Sequence, residues 1–292
     1  MAIAESELIL NDDGSIYHLN LRPEHLAKNI ITVGDPDRVD QITQYFETIE
    51  YKIQKREFHT QTGIYKGHRI TVISTGIGTD NIDIVFNELD ALVNIDLTTR
   101  KNKTEHTALH IVRIGTSGSI QPDIPIDSFV VSEIATGFDS LLHFYKSSHV
   151  QLPEISKALT KHLDLDQNKS MPYTVVYDKK LGEHMLSSIV QKGHTLTNVG
   201  FYGPQGRVLR LPLQDNELNT KIASFAYENK KITNLEMETA GMYGMAKLLG
   251  HKAVSMNAIV ANRATGEFSK NPKETVNKLI KYTLDKIVSY HI

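Results

Sequence analysis

The sequence predicts an α/β fold, a sheet covered by helices on both faces, and three observations predict it. Short apolar runs rich in β-branched residues recur along the chain, each run is closed by a glycine and polar residues, and amphipathic stretches at three-and-four spacing lie between them. The chain has 292 residues, 40% hydrophobic and 23% charged, which gives it the apolar surface for a substantial core.

The first run, "NIITVGDPDR" at 29–38, reads as strand, tight turn and helix start, with Pro36 preset for the opening turn. Val39, Ile42, Tyr45 and Phe46 continue as a helix face. "RITVISTGIGTDN" at 69–81 repeats the pattern and is followed by Ile82, Val85, Phe86, Leu89 and Val93. "IDLTTRKNKTEHT" at 95–107 is polar and reads as an exposed excursion, after which "ALHIVRIGTSGS" at 108–119 supplies a third strand and glycine loop. Further on, "YTVVYD" (173–178) and "TLTNVGFYG" (195–203) read as strands around a helical "KLGEHMLSSIVQK" (180–192). "KAVSMNAIV" (252–260) is a strand, and the last helix opens with Asn271 as cap, Pro272 at its first position and Glu274 in its first turn. Its core stripe is Val276, Leu279, Ile280, Thr283, Leu284, Ile287 and Val288. No repeat or low-complexity linker divides the chain, so residues 1–292 are read as a single domain.

Lys and Arg total 32 against 34 Asp and Glu, so no net basic field gathers nucleic acid or an anionic membrane, and the expected partner is a small molecule. The absence of cysteine excludes a disulfide scaffold, a thiolate nucleophile and a cysteine-ligated metal. "MAIAESELILNDDGSIYHLNL" has acids where a signal peptide needs a basic start and an apolar run, and no stretch approaches the roughly 18 apolar residues of a spanning helix. A cytoplasmic protein is expected. The 13 histidines show no ligand spacing, so no catalytic transition metal is expected.

In open α/β sheets the loops leaving the carboxyl ends of strands gather into a ligand crevice, which makes the glycine loops candidates for one site. Gly34 lets backbone approach a ligand and Arg38 adds a charged fork, although from this segment alone an ordinary capped helix with a solvated arginine is the favoured reading. Arg113 interrupts an otherwise apolar strand, and a buried arginine needs an anionic partner, either phosphate or an internal carboxylate. In "GFYGPQGRVLR" (200–210) the face of Phe201 can stack on a planar ring while Gln205 and Arg207 address the ring's edge. Glu236 and Glu238, either side of Met237, stand at a strand-to-helix junction. They read as acceptors for vicinal hydroxyls, as an acid–base pair, or as first-turn acids stabilised by the helix dipole. His18 reads as a switchable donor, a ligand or a surface residue.

Taken together, "YHLNL", "ITVGDPDRV", "REFHTQTGIYKG", "STGIG", "VRIGTSGSIQP", "FYGPQGR", "NLEMETAG" and "IVANR" resemble, in order and with matching spacing over most of residues 17 to 263, the nucleoside phosphorylase family, most closely its uridine phosphorylases. The resemblance implies a phosphorylase/hydrolase-like, three-layer α/β/α domain with a distorted mixed central sheet, and homodimers or higher homo-oligomers with sites shared between subunits. Gly34, Arg38, Arg113 and Thr116 match phosphate-binding positions, and Arg56 matches an arginine entering from the neighbouring chain. His18, which matches a histidine crossing to the ribose 5′-hydroxyl, joins Met237 and Glu238 as a ribose contact. Gly118, Phe201, Gln205, Arg207 and Arg263 match base-binding positions. Arg113, Gln205, Arg207 and Glu238 are then the residues expected to carry catalysis.

The resemblance implies reversible phosphorolysis of uridine to uracil and α-D-ribose 1-phosphate, with inorganic phosphate as co-substrate and no cofactor. The alternatives are a purine nucleoside phosphorylase and a non-catalytic nucleoside-binding protein of the same fold. Glu57, Ile77 and Asn81 match a monovalent-cation (K+) site found between subunits in some bacterial members, where the last position is serine.

Overall fold

A computed structural model of the protein describes residues 2–166 and 168–290. In chain order the strands are β1 (Asn29–Val33), β2 (Thr48–Lys55), β3 (Phe58–Tyr65), β4 (His68–Ser74), β5 (Ile95–Asp96), β6 (Lys101–Asn102), β7 (His110–Ser119), β8 (Phe129–Gly137), β9 (Tyr173–Val176), β10 (Val190–Thr197), β11 (Ala226–Tyr227), β12 (Lys230–Glu236), β13 (Lys252–Asn262) and β14 (Glu267–Phe268). The α-helices are α1 (Asp37–Thr43), α2 (Thr79–Asn94), α3 (Pro153–Leu163), α4 (Lys179–His184), α5 (Leu218–Ser224), α6 (Thr239–Leu248) and α7 (Pro272–Val288).

The apolar runs of β1 and β7 are buried almost throughout because each has a strand on both sides. β1 lies parallel to β4 and β7, and β7 parallel to β13. β2, β3 and β4 form an antiparallel meander at one edge, so the sheet is mixed. Its path is β11-β12-β10-β8-β13-β7-β1-β4-β3-β2. β12 also meets β7 antiparallel, through Asn234 against Ser119 and Leu235 against Gly118. Strands β7, β13, β8, β10 and β12 thereby close a ring. Register shifts at Gly193/His194, His194/Thr195 and Ile259/Ala261 give those strands the local bends that closure needs. This distorted mixed sheet agrees with the expectation, and the closure brings the carboxyl ends of β7 and β12 together.

Helix α6 packs on β8, β10 and β13 and against α2, while α7 packs on β7 and β13, and α1 on β3 and β4. The predicted stripe of α7 is buried at Val276, Leu279, Ile280, Thr283, Leu284 and Ile287, with Val288 half-buried. The excursion at 95–107 carries the β5–β6 hairpin. Among the described residues no helix is long and apolar enough to cross a membrane.

Three local expectations are corrected. The helix expected over 180–192 is only α4, capped by Asp178, whose Oδ1 accepts from the Leu181 N–H at 2.9 Å. Residues 190–192 belong instead to β10, because pairing with β8 along the whole strand outweighs helical periodicity. The strand expected over 195–203 leaves the sheet after Thr197. Asn271 occupies the cap position of α7, but its backbone carbonyl, not its side chain, accepts the Glu274 and Thr275 N–H groups.

Candidate active site

At the closure a cavity of about 710 Å3 opens beside the carboxyl ends of β1, β4, β7 and β12. Gly34, Arg38, Arg113, Thr116, Gly118, Phe201, Gln205, Arg207, Met237 and Glu238 all line it, as do Glu236, Glu57, Ile77 and Asn81. Segments more than 200 residues apart in sequence thus converge. Arg263 stands behind the wall, donating to the carbonyls of Gln205 at 2.9 Å and Gly206 at 3.0 Å.

Arg113 runs along β7 over Gly115, where a Cβ would overlap its guanidinium; a glycine is what permits that close approach. Its anionic partner is internal: Nη2 meets Glu238 Oε2 at 2.5 Å and Glu236 Oε2 at 3.3 Å. Nη1 donates to Asn257 Oδ1 and Ser255 Oγ. Burial by itself would lower the Arg113 guanidinium, but the two carboxylates hold it above its ordinary value. Arg38, half-buried, donates to the Ile114 carbonyl at 3.3 Å. Burial pulls its guanidinium down, and repulsion from Arg113 adds to this.

Neither glutamate sits in the first turn of α6, which excludes the first-turn reading: Glu236 ends β12 and Glu238 is the N-cap residue. Glu236 holds the junction in shape. Its Oε2 accepts the N–H groups of Glu238 and Thr239 at 2.9 Å, and its Oε1 accepts the Thr197 hydroxyl. Glu238 is left to face the cavity, its Oε1 accepting the Gly78 N–H at 2.8 Å. Burial pushes the Glu238 carboxyl up, Arg113 opposes that, and Glu236 reinforces it.

At the other end a 3-10 turn at Gly203–Gln205 carries Gln205, with Arg207 two residues on, the pair expected to address a ring's edge. Arg207 Cζ lies 3.8 Å from the Phe201 ring centroid, and Nη1 donates to Gln205 Oε1 and the Phe201 carbonyl, both at 2.6 Å. Burial, with Arg263 nearby, pulls the Arg207 guanidinium down to about 10.

His18 and Arg56 do not line this cavity. Both gather around Tyr17, with ring centroids of His18 and Tyr17 4.8 Å apart and Arg56 5.8 Å from the Tyr17 centroid. Glu88 fixes the histidine, its Oε1 lying 2.6 Å from Nδ1. The sequence reading missed Glu88, Gly78 and the cavity-lining Ser117, Val260, Ala261 and Phe268. The serine stood inside a loop already singled out, Gly78 inside "STGIG" and Val260 and Ala261 inside "IVANR"; nothing local marked Glu88 or Phe268.

A family profile described as "Phosphorylase superfamily" matches residues 28–289. A uridine phosphorylase of Thermococcus kodakarensis is 29% identical over 265 residues, covering 89% of this chain and 82% of that protein. A DeoD-type purine nucleoside phosphorylase of Caldanaerobacter subterraneus is 26% identical over 271 residues, covering 92% and 98%. Among solved structures, a nucleoside phosphorylase of Trypanosoma brucei that shows uridine phosphorylase activity superposes with a TM-score of 0.86 at 28% identity, covering 97% of this chain and all of that one. With the profile spanning nearly the whole chain and the closed mixed sheet matching a solved relative, the protein belongs to the phosphorylase superfamily.

Proposed function

We propose that the protein is a uridine phosphorylase, converting uridine and phosphate reversibly to uracil and α-D-ribose 1-phosphate. One observation carries the reading: a single cavity holds arginines at one end, a buried glutamate in the middle, and an aromatic ring with an amide–guanidinium pair at the other. Phosphate takes Arg38, Thr116, the backbone at Gly34 and Arg113. Glu238 accepts the ribose 2′- and 3′-hydroxyls beside Met237, while Phe201, Gly118, Gln205 and Arg207 receive the uracil. As the glycosidic bond loosens, phosphate stabilises the oxocarbenium-like sugar and attacks C1′; the base leaves with negative charge that Gln205 and Arg207 meet with strengthened hydrogen bonds. The Arg113–Glu238 pair links the two subsites, because hydroxyls donating to Glu238 relieve its hold on Arg113 and free that guanidinium for phosphate.

The purine alternative has a relative in its favour. Against it, the cavity residues on the base side include no carboxylate: its acids are Asp35, Glu57, Glu236 and Glu238. His18 and Arg56 serve the site of a second subunit in this reading, so the working unit is at least a dimer.

The residues fit a monovalent cation only in part. Glu57 and Asn81 flank Gly76, but Asn81 Nδ2, a donor, faces the Ile77 carbonyl at 3.5 Å where an ion needs an oxygen. No step is routed through an ion, and phosphate is the one added reactant.

Purified protein given uridine with and without phosphate, and inosine in parallel, tests the reading. Phosphate-dependent uracil release with little hypoxanthine is expected. Release without phosphate would make it a hydrolase, preferential inosine cleavage would favour the purine reading, and nucleoside binding without product from either would favour the non-catalytic one.

A further inference from the structure

A second cavity, of about 480 Å3, opens past the carboxyl ends of β8 and β10, and no residue lines both it and the cavity that holds Arg113. Its size falls within the roughly 300–1,000 Å3 of small-molecule sites. The two strands run parallel and end side by side: the Phe138 N–H donates to the Thr197 carbonyl at 2.9 Å, and the Asn198 N–H to the Glu236 carbonyl at 2.8 Å. Parallel strands that stop together leave a crevice, walled by the chain that departs from them. Phe138 leaves β8, Asn198 and Pro204 follow β10, and Pro212, Leu213 and Leu218 continue an apolar wall.

Within that wall Asn198 is only 1% exposed. Its Nδ2 donates to the Leu196 carbonyl at 3.2 Å, which fixes the orientation of the amide and leaves Oδ1 buried with no donor among the described residues. A buried oxygen without a donor is costly, and a water needs two to four polar partners where this wall is mostly hydrocarbon. At the rim Lys169 is exposed and belongs to no ion pair among the described residues. Asp215, on the same cavity, is already taken by Lys221 Nζ and by the Glu217 N–H, both at 2.8 Å.

We infer that this cavity is a second small-molecule site, separate from the one that holds Arg113, and that its ligand is a flat aromatic anion carrying an N–H or O–H donor. The donor meets Asn198 Oδ1, the ring lies along the rigid faces of Phe138, Pro204 and Pro212, and the anionic group meets Lys169. The inference does not depend on the phosphorylase reading.

The fluorescent probe 2-anilinonaphthalene-6-sulfonate has these three features, with its N–H and its sulfonate at opposite ends of a naphthalene. Titrated into the whole protein, it is expected to give a saturable rise in fluorescence at one site per chain, undisturbed by saturating uridine or phosphate. Naphthalene-2-sulfonate, which lacks the N–H, should displace it with roughly tenfold weaker affinity. Asn198→Leu keeps the bulk without the acceptor; it is expected to weaken the anilino probe about tenfold and leave naphthalene-2-sulfonate within about twofold. Lys169→Glu, at an exposed position, should weaken both by about threefold or more. Leu213→Trp, which fills the cavity, should abolish both, and it decides with Lys169→Glu if melting temperatures show that Asn198→Leu does not fold. No saturable rise overturns the inference. So does displacement by uridine or phosphate, which would put the probe in the other cavity, and so does binding that none of the variants alters, which would mean attachment to the outer surface. Loss in Leu213→Trp with full binding in folded Asn198→Leu strikes out the donor contact, and full binding in Lys169→Glu strikes out the anionic one.

Discussion

Arg113 carries more of the site than any other residue, and its replacement acts in two ways. Arg113→Ala leaves Glu236 and Glu238 buried without their cation, at a cost of about 3–5 kcal/mol, and removes the donor proposed for phosphate as well. Turnover should fall by roughly a hundredfold or more while the melting temperature drops, measured by base release and thermal unfolding. Arg113→Lys keeps a charge without the planar fork, and phosphate KM is expected to rise more than stability falls. The anomaly of this arginine was legible from one charge inside an apolar run. Its partner was not, because nothing near position 113 announces that β12, more than a hundred residues later, folds back alongside it. Glu236 shows the same limit: beside Glu238 in sequence it resembles half of an acid–base pair, and only the hydrogen bonds to Thr197 and Thr239 make it the clamp.

At the level of elements, the glycine loops depend on what crosses them. Gly115→Ala places a methyl where the Arg113 guanidinium lies, so the strand persists while phosphate affinity falls, by roughly tenfold or more in KM. Circular dichroism alongside kinetics separates those effects. Strand β10 carries a second test. His194 is fully buried, donating to or accepting from Thr136 Oγ1, and burial pulls its imidazole down to about 3. The unfolded chain therefore binds a proton near pH 6.5 that the folded chain refuses, and stability falls as pH drops through that value. The loss from this group reaches about 2 kcal/mol by pH 5, read as a declining melting temperature that His194→Gln flattens. β10 was also where the sequence reading lost the element boundary. "SSIVQK" has helical spacing, but a strand flanked by β8 and β12 is decided by pairing rather than by periodicity.

For the molecule as a whole, the fold class was legible because alternation of apolar runs and helical faces needs no knowledge of tertiary contacts. Closure of the sheet was not, since it depends on bends at Gly193 and Ile259 that carry no signal in hydropathy. The placement of His18 and Arg56 away from the cavity leads to a complementation experiment. Arg56→Ala and Glu238→Ala proteins are each expected to be inactive, and co-expressed they should recover about a quarter of wild-type activity through mixed dimers with one intact site. No recovery would place the whole reaction within one chain. Replacing potassium with a bulky organic cation is expected to leave kcat/KM within about twofold, given the Asn81 amide at Ile77.

The joint between β7 and β12 consists of two residue pairs, far fewer than join β7 to β13. A ring fastened by so short a seam opens there first, so the amide protons of Gly118 and Leu235 should exchange with deuterated solvent ahead of their neighbours in β13. Ligand touching both strands would act as a rivet across that seam, and the slowing of exchange on binding would trace, amide by amide, where the nucleoside bridges the two halves of the ring.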